Sequence, residues 1–407
     1  MPSAISVTAA DIARARDAVG DVARRTPVLE SEVLSERCGA RVLLKAENLQ
    51  RTGSFKLRGA LNKLAALGAG CERGVVAGSA GNHAWALADA ARARGVPCEV
   101  FMPQQAPLAK IEGCAALGAV VHLAGDSLED CFAAAAARAQ EGGLAFVHPF
   151  DDPDVVAGQG TIGLELLEDV EDLAKVVVPV GGGGLASGIA IAVKSARPGV
   201  EVVGVQAEAC APFLDSLRRG RPVAVSSALS IADGIAVKRP GELTLGLIGR
   251  WLDDVVAVGE DEIAEAMVLL MERSKLVVEG AGAVGAAALL EGLVAPAERG
   301  TTVVVLSGGN VDAGLLAAVT RRHETQVGRR LALFTRVPDR PGSLAGLLAC
   351  VAAAGANLVE VEHVREGVDL HVRETAVQLV LETRGREHAQ QVLAAVASDG
   401  YVARVVH

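Results

Sequence analysis

Lys56 carries its primary amine in the stretch GSFKLRGA, directly after Gly53, Ser54 and Phe55, in the first turn of an expected helix. A neutral amine attacks carbonyl carbon, which a guanidinium effectively does not. The chain has eight lysines against thirty-one arginines, so a lysine at this turn-like entry points to amine chemistry rather than solubility. An ordinary lysine, with a pKa of about 10.4, is neutral in only about one molecule in a few thousand at neutral pH. A Schiff base removes that limit by holding the nitrogen in an imine. By pattern, the neighbouring Arg51, Arg58 and Lys63 read as solvated cations.

Three further stretches share a second chemistry. VVAGSAGNHA (75–84), VVVPVGGGGLA (176–186) and VVVLSGGN (303–310) each run from a Val-rich strand into Gly and Ser. In open parallel sheets, small ligands lie beyond the carboxyl ends of strands, where such loops gather. Gly181, Gly182, Gly183 and Gly184 carry no Cβ, so backbone N–H groups can crowd around an anion, and the helix beginning near Leu185 adds its positive dipole end. A dipole favours negative charge by roughly 0.3–2 kcal/mol, so several amides must converge. A phosphate cradle beside a Schiff-base lysine points to pyridoxal 5'-phosphate.

On that reading Ser307 hydrogen-bonds the pyridine nitrogen and, as a hydroxyl rather than a carboxylate, leaves it unprotonated. Asn82 donates to the ring oxygen, and Ser79 with the backbone of Gly81 to His83 holds a substrate carboxylate. The His83 side chain alone reads as structural. Glu279, in VEGAGA, reads either as an acid at a helix entry or as a neighbour of the cofactor. A competing reading is a nicotinamide-dependent oxidoreductase: Gly181, Gly183 and Ala186 fit G-x-G-x-x-A, and the acid Glu201 follows twenty residues after Gly181. That acid opens the next strand instead of closing it, and Lys56 is left without a task.

The elements that must position these residues are legible from periodicity. Short apolar runs (74–78, 98–103, 119–125, 175–180, 200–206 and 301–307) alternate with Ala-rich helical stretches, which predicts an α/β fold of doubly wound open sheets. After residue 328 the order becomes β-α-β-β-α-β, a ferredoxin-like unit. The expected organisation is a catalytic domain over 1–325, with a smaller subdomain at about 54–150 inserted in the larger, a linker at 326–330 in the basic run RRHETQVGRR, and a C-terminal domain over 331–407.

Composition narrows the function. With 51% hydrophobic and 22% charged residues this is a core-forming chain, and with 2% aromatics the core is built from small aliphatics, not from a stacking platform. A net charge of −10 opposes a nucleic-acid partner. Seven cysteines without a C-x-x-C pair suit isolated thiols in a reducing cytoplasm. The N-terminus lacks a basic start and apolar run, so no signal peptide is expected. The uncharged stretch from Val176 to Val193 holds Pro179 and four glycines, which argues against a membrane span.

GSFKLRGA, SAGNHA, HPFDDPDVVAGQGT, GGGGLASG, ADGIAVKRPG, VEGAGA and LSGGN occur in this order. As a set they resemble the fold-type II (tryptophan synthase β-like) pyridoxal-phosphate enzymes, and among these the threonine dehydratases, over about 10–320. VPDRPGSLAGLL and AGANLVEV resemble the ACT domain, a small-ligand-binding regulatory module. The resemblance implies deaminating dehydration of L-threonine, and of L-serine, with Lys56 as the Schiff-base lysine that takes the α-proton and the cofactor phosphate helping the β-hydroxyl to leave. It also implies that Phe55 packs on the cofactor ring, that Asn82 pairs with the ring oxygen, that Gly181 to Leu185 hold phosphate, that Ser307 pairs with the ring nitrogen, and that Gly234 makes a main-chain contact near the substrate. An amino-acid effector such as a branched-chain amino acid, and a homodimer or homotetramer, follow from the ACT resemblance; an amino-acid sensor without catalysis is the reading from another class. Related serine racemases carry a serine where this chain has Ala80, which favours elimination over racemisation here. Gln206 stands where some relatives have a metal-binding carboxylate, so no metal is expected. Trp85 stands where many members carry glutamine.

Overall fold

The computed structural model describes residues 6–20, 22–79, 81–226, 229–365 and 370–406. The chain divides into two compact units, Met1–Val311 and Asp312–His407.

In the first unit, the Val-rich runs of the larger sheet become strands buried on both faces, as parallel sheets covered by helices require, whereas Val120–Leu123 at the edge of the smaller sheet is largely exposed. Six strands lie in the order Val28–Glu30, Val42–Ala46, Thr301–Leu306, Leu173–Pro179, Glu201–Ala207 and Asp254–Val258, all parallel except the first. Val176, Val178, Val202, Val305 and Ile189 form its core. A smaller parallel sheet orders Val120–Leu123, Cys98–Met102, Val75–Gly78 and Ala145–Phe146, packed through Val75, Val100, Leu57, Leu61 and Leu87. Val176 to Val193 runs from strand through glycine turn into the helix Gly184–Ala196, and among the described residues no helix is long and apolar enough to cross a membrane.

The second unit has the antiparallel order Asn357–Val364, Glu374–Glu382, Arg330–Pro338, Arg404–Val405, with helices Ser343–Ala353 and Arg386–Ser398. That is the ferredoxin-like βαββαβ arrangement, with Leu333, Leu347, Val377 and Val392 in its core. The division lies ahead of the 325/326 boundary read from the sequence. The helix Ala313–Gln326, capped by the Asp312 side chain, packs against the strand Arg330–Pro338 and so groups with the second unit. Of the 326–330 linker only Val327 to Arg329 lie between that helix and the strand.

Arg58 and Lys63 are not solvated. Arg58 is 1% exposed: its guanidinium grips both Glu47 carboxylate oxygens at 2.8 and 2.9 Å and reaches Glu165 at 2.6 Å. Lys63 pairs with Asp152 at 2.6 Å and Asp154 at 3.0 Å. Arg51 is exposed, as expected of a solvated cation, and pairs with Asp89. The strand Val42–Ala46 escaped the apolar pattern because it contains Lys45, whose buried amine donates to Thr26 O at 2.7 Å and to Glu165 at 2.6 Å. A charge at a strand position looks like surface unless its ion-pair partner, 120 residues away in sequence, is known.

Candidate active site

The segment that delivers Lys56 is laid along the loop that follows the central strand Thr301–Leu306. Gly309 N–H donates to Gly53 O at 2.9 Å, Phe55 N–H donates to Ser307 O at 3.1 Å, and Ser54 bridges Gly308. Gly53 takes a φ of 72°, and a Cβ there would lie 2.2 Å from Asn310 Oδ1. One of the three Gly/Ser loops, 303–310, is thereby fastened to the segment that carries the lysine before any ligand is considered.

Lys56 opens the helix Lys56–Leu67. Its Nζ donates to the Pro149 carbonyl at 2.9 Å and lies 5.2 Å from the centre of the Phe55 ring. Desolvation lowers its pKa to about 8, against the pull of the Glu279 charge. About a tenth of such amines are neutral at pH 7, several hundredfold more than for an ordinary lysine. The helix N-terminus acts in the same direction, since its positive end disfavours an ammonium.

The glycine turn has no room for side chains. A Cβ on Gly182 would lie 2.1 Å from the Phe150 ring, and one on Gly181 2.9 Å from Ile235 Cα. Gly183, with a φ of 92°, caps the helix Gly184–Ala196 and leaves its first N–H groups without intrahelical partners. Ser187, in that helix, and Ser54 beside Lys56 have fully buried hydroxyls with no hydrogen-bond partner. The Ser307 hydroxyl reaches Ala281 O only at 3.5 Å. An amine, a Cβ-free turn of N–H groups and the under-used Ser307 hydroxyl in one pocket fit pyridoxal phosphate, which carries an aldehyde, a phosphate and a ring nitrogen.

One pocket is lined by Phe55, Lys56, Asn82, Gly181 to Leu185, Gly234, Glu279 and Ser307, together with Pro149, Phe150 and Gln159. A second cleft shares Lys56, Asn82, Gly234 and Glu279 with it and adds Ser79, Gly81, His83 and Asn310. Ala80 lies outside the described residues. Ser79 Oγ accepts from Gly81 N–H at 3.2 Å, shaping the turn into the helix Asn82–Arg94. His83 is buried, its Nε2 3.0 Å from Val147 O, and desolvation keeps its pKa at about 3, so the ring is neutral.

Glu279 stands at a helix entry and lines the pocket. It precedes the helix Gly280–Leu290, and its side chain, buried in the pocket wall, accepts from Asn82 Nδ2 at 2.7 Å. Burial, with the Asp233 charge, raises its pKa to about 7, while the Asn82 donor and the Lys110 and Lys56 charges oppose. Asn310 Nδ2 donates in turn to Asn82 Oδ1 and to Thr52 O, each at 2.8 Å.

Sequence reasoning missed the Pro149 carbonyl, Phe150, Gln159 and the contacts of Asn310. A main-chain oxygen has no sequence signal; Asn310, following SGG in a loop already singled out, did carry one. Glu201, the acid of the dinucleotide reading, opens its strand and pairs with Lys175 at 2.9 Å, away from the glycine turn. Gln206 is a buried brace, donating to Val180 O and accepting from Phe213 N–H. Trp85 donates to Lys110 O at 3.1 Å and fills the space over Gly113, holding two helices of the smaller sheet together.

Residues 19–308 match the family described as pyridoxal-phosphate dependent enzyme. An L-threonine ammonia-lyase of Thermotoga maritima is 45% identical over 401 residues, covering 98% of this chain and all of that protein. The catabolic L-threonine dehydratase TdcB of Escherichia coli K12 is 43% identical over 312 residues, covering 76% of this chain and 95% of its own length. Among solved structures, maize serine racemase matches with a TM-score of 0.74 and 32% identity, over 79% of this chain and 99% of that one.

Proposed function

Because this chain belongs to the family of pyridoxal-phosphate-dependent enzymes, we propose that it is an L-threonine ammonia-lyase, converting L-threonine to 2-oxobutyrate and ammonia, and L-serine to pyruvate and ammonia. The observation that supports this reading is the meeting of a desolvated lysine amine, a Cβ-free turn at a helix N-terminus and a serine hydroxyl in one pocket. When bound, pyridoxal phosphate offers a carbonyl to the substrate amine and an electron sink for the negative charge that develops at Cα.

The chain's own groups have the following tasks. The N–H groups of Gly181 to Leu185 would hold the phosphate, Ser307 Oγ would meet the ring nitrogen, and Asn82 Nδ2 would donate to the ring oxygen. Phe55 would pack against the ring, and the main chain of Gly234 would lie near the substrate. Ser79 Oγ and the N–H groups of Gly81 to His83 hold the substrate carboxylate, which orients the Cα–H bond. Lys56 Nζ, whose burial favours the neutral amine, would remove the proton from Cα. Loss of the β-hydroxyl as water leaves an enamine, which takes up water and gives the 2-oxoacid and ammonia. Ala80 offers no hydroxyl for returning a proton on the opposite face, so the one base suits elimination.

Replacing Lys56 with Ala is the direct test. The purified variant should lose both the visible absorption of the bound cofactor and ammonia release from L-threonine; retention of both would sink the assignment. The visible band also separates this reading from a nicotinamide oxidoreductase, and D-serine formation by the parent enzyme would favour a racemase. The ferredoxin-like unit serves as an ACT regulatory domain that binds a branched-chain amino acid, in a cytoplasmic homodimer or homotetramer through whose subunit contacts the effector acts. A sensor without catalysis would have no use for both Lys56 and the glycine turn.

A further inference from the structure

We propose that Asn310 is a positioning residue for the cofactor site, fixing the side-chain amide of Asn82 with its oxygen turned outward and its NH2 presented to the pocket; this rests on the pyridoxal-phosphate reading above. An asparagine amide is nearly symmetric in shape, so half a turn exchanges donor for acceptor at little steric cost. For a group that must donate to a negatively charged ring oxygen, the wrong orientation brings two acceptors together. Something has to decide which end faces inward.

The decision begins at a group that cannot be reversed. The Thr52 carbonyl only accepts, so the Asn310 atom 2.8 Å from it is the amide nitrogen. The same nitrogen lies 2.8 Å from the Asn82 side chain, and with its second hydrogen it donates to Asn82 Oδ1. The Asn82 oxygen is thus occupied, and Nδ2 faces the other way, where it donates to Glu279 Oε1 at 2.7 Å. Asn82 and Glu279 both line the pocket of Lys56. The polarity of the chain, from Asn310 through Asn82 to Glu279, is therefore set by a main-chain carbonyl outside the cofactor pocket.

The backbone is shaped to hold this arrangement. Gly53 adopts a φ of 72°, and a Cβ there would stand 2.2 Å from Asn310 Oδ1, so the segment delivering Lys56 is built around the Asn310 side chain. Gly309 N–H donates to Gly53 O and fixes the two segments together one residue before Asn310.

Asn310→Asp tests the idea, because aspartate has the same shape but cannot donate to either oxygen. The affinity for pyridoxal phosphate and the position of its visible band are measured in the parent holoenzyme, in Asn310→Asp, in Asn82→Ala and in the double variant. An unmet buried hydrogen bond of this kind corresponds to roughly a tenfold loss of affinity. The expected result is that loss with a displaced band in Asn310→Asp, shrinking to less than about twofold when Asn82 is already Ala, the signature of one residue acting through another. Parent-like affinity and band in Asn310→Asp, or the same loss in both backgrounds, overturns the inference. If Asn310→Asp gives no soluble protein, Asn310→Ala takes its place in the same cycle. A parent protein with no pyridoxal-phosphate band removes the functional reading and this inference together, and is distinguishable from a parent that binds while Asn310 proves indifferent.

Discussion

At Lys56 the relevant quantity is how much of the amine is neutral. With its pKa lowered to about 8 by desolvation, the neutral fraction falls about tenfold for each pH unit below 8 and saturates above it. The rate at which cofactor-free enzyme captures pyridoxal phosphate should therefore rise with pH and level off soon after pH 8. A rate still climbing at pH 10 would mean an ordinary solvated lysine. Gly182 offers a second test. An added Cβ would lie 2.1 Å from the Phe150 ring, which forms the opposite wall of the turn. Gly182→Ala should weaken cofactor retention on dialysis by about fivefold or more, since overpacking of this kind costs about 1–3 kcal/mol and the turn is the proposed phosphate site.

At the scale of the element, the helix Lys56–Leu67 is held by an ionic cluster at its base rather than by a solvated face. Arg58 joins it to Glu47, in the turn after the strand Val42–Ala46, and to Glu165 on the helix Pro153–Asp169. Burial would raise the Glu47 pKa, but the Arg58 charge and its hydrogen bonds overcome this and hold it below the usual carboxylate range. Removing one partner of a buried pair leaves the other uncompensated, at about 3–5 kcal/mol. Arg58→Leu should accordingly lower the melting temperature by roughly 5–15 °C. A change under about 2 °C would show the cluster to be dispensable. The displacement of Lys56 that follows should also reduce kcat in the folded fraction.

The whole molecule consists of two units with separate cores. The 312 residues shared with the Escherichia coli relative span nearly all of that protein but only 76% of this chain, which suits a catalytic unit complete without the C-terminal one. A chain ending at Val311 should keep ammonia release from L-threonine within about threefold of the parent and lose any response to isoleucine or valine. Loss of activity together with cofactor binding would show instead that the second unit is needed to form the site. Light scattering of both chains checks the expected homodimer or homotetramer, and a concentration-independent monomer would count against it.

The sequence by itself determined the α/β class, the ferredoxin-like tail and the residues with chemical scope, because these depend on local rules: continuous Val-rich runs, glycines without Cβ, and an amine where guanidinium is the norm. Lys56, Gly181 to Gly184 and Ser307 were legible for that reason. Only the tertiary structure decided that Arg58 and Lys63 are buried ion-pair members, that the Pro149 carbonyl receives the Lys56 amine, and that Asn310 orients Asn82. Each of these depends on a partner between 89 and 258 residues distant along the chain, such as Thr52 for Asn310. A charge or an amide carries no sign in sequence of whether its partner will be water or another buried group; the fold chooses by bringing the two together and excluding the solvent between them.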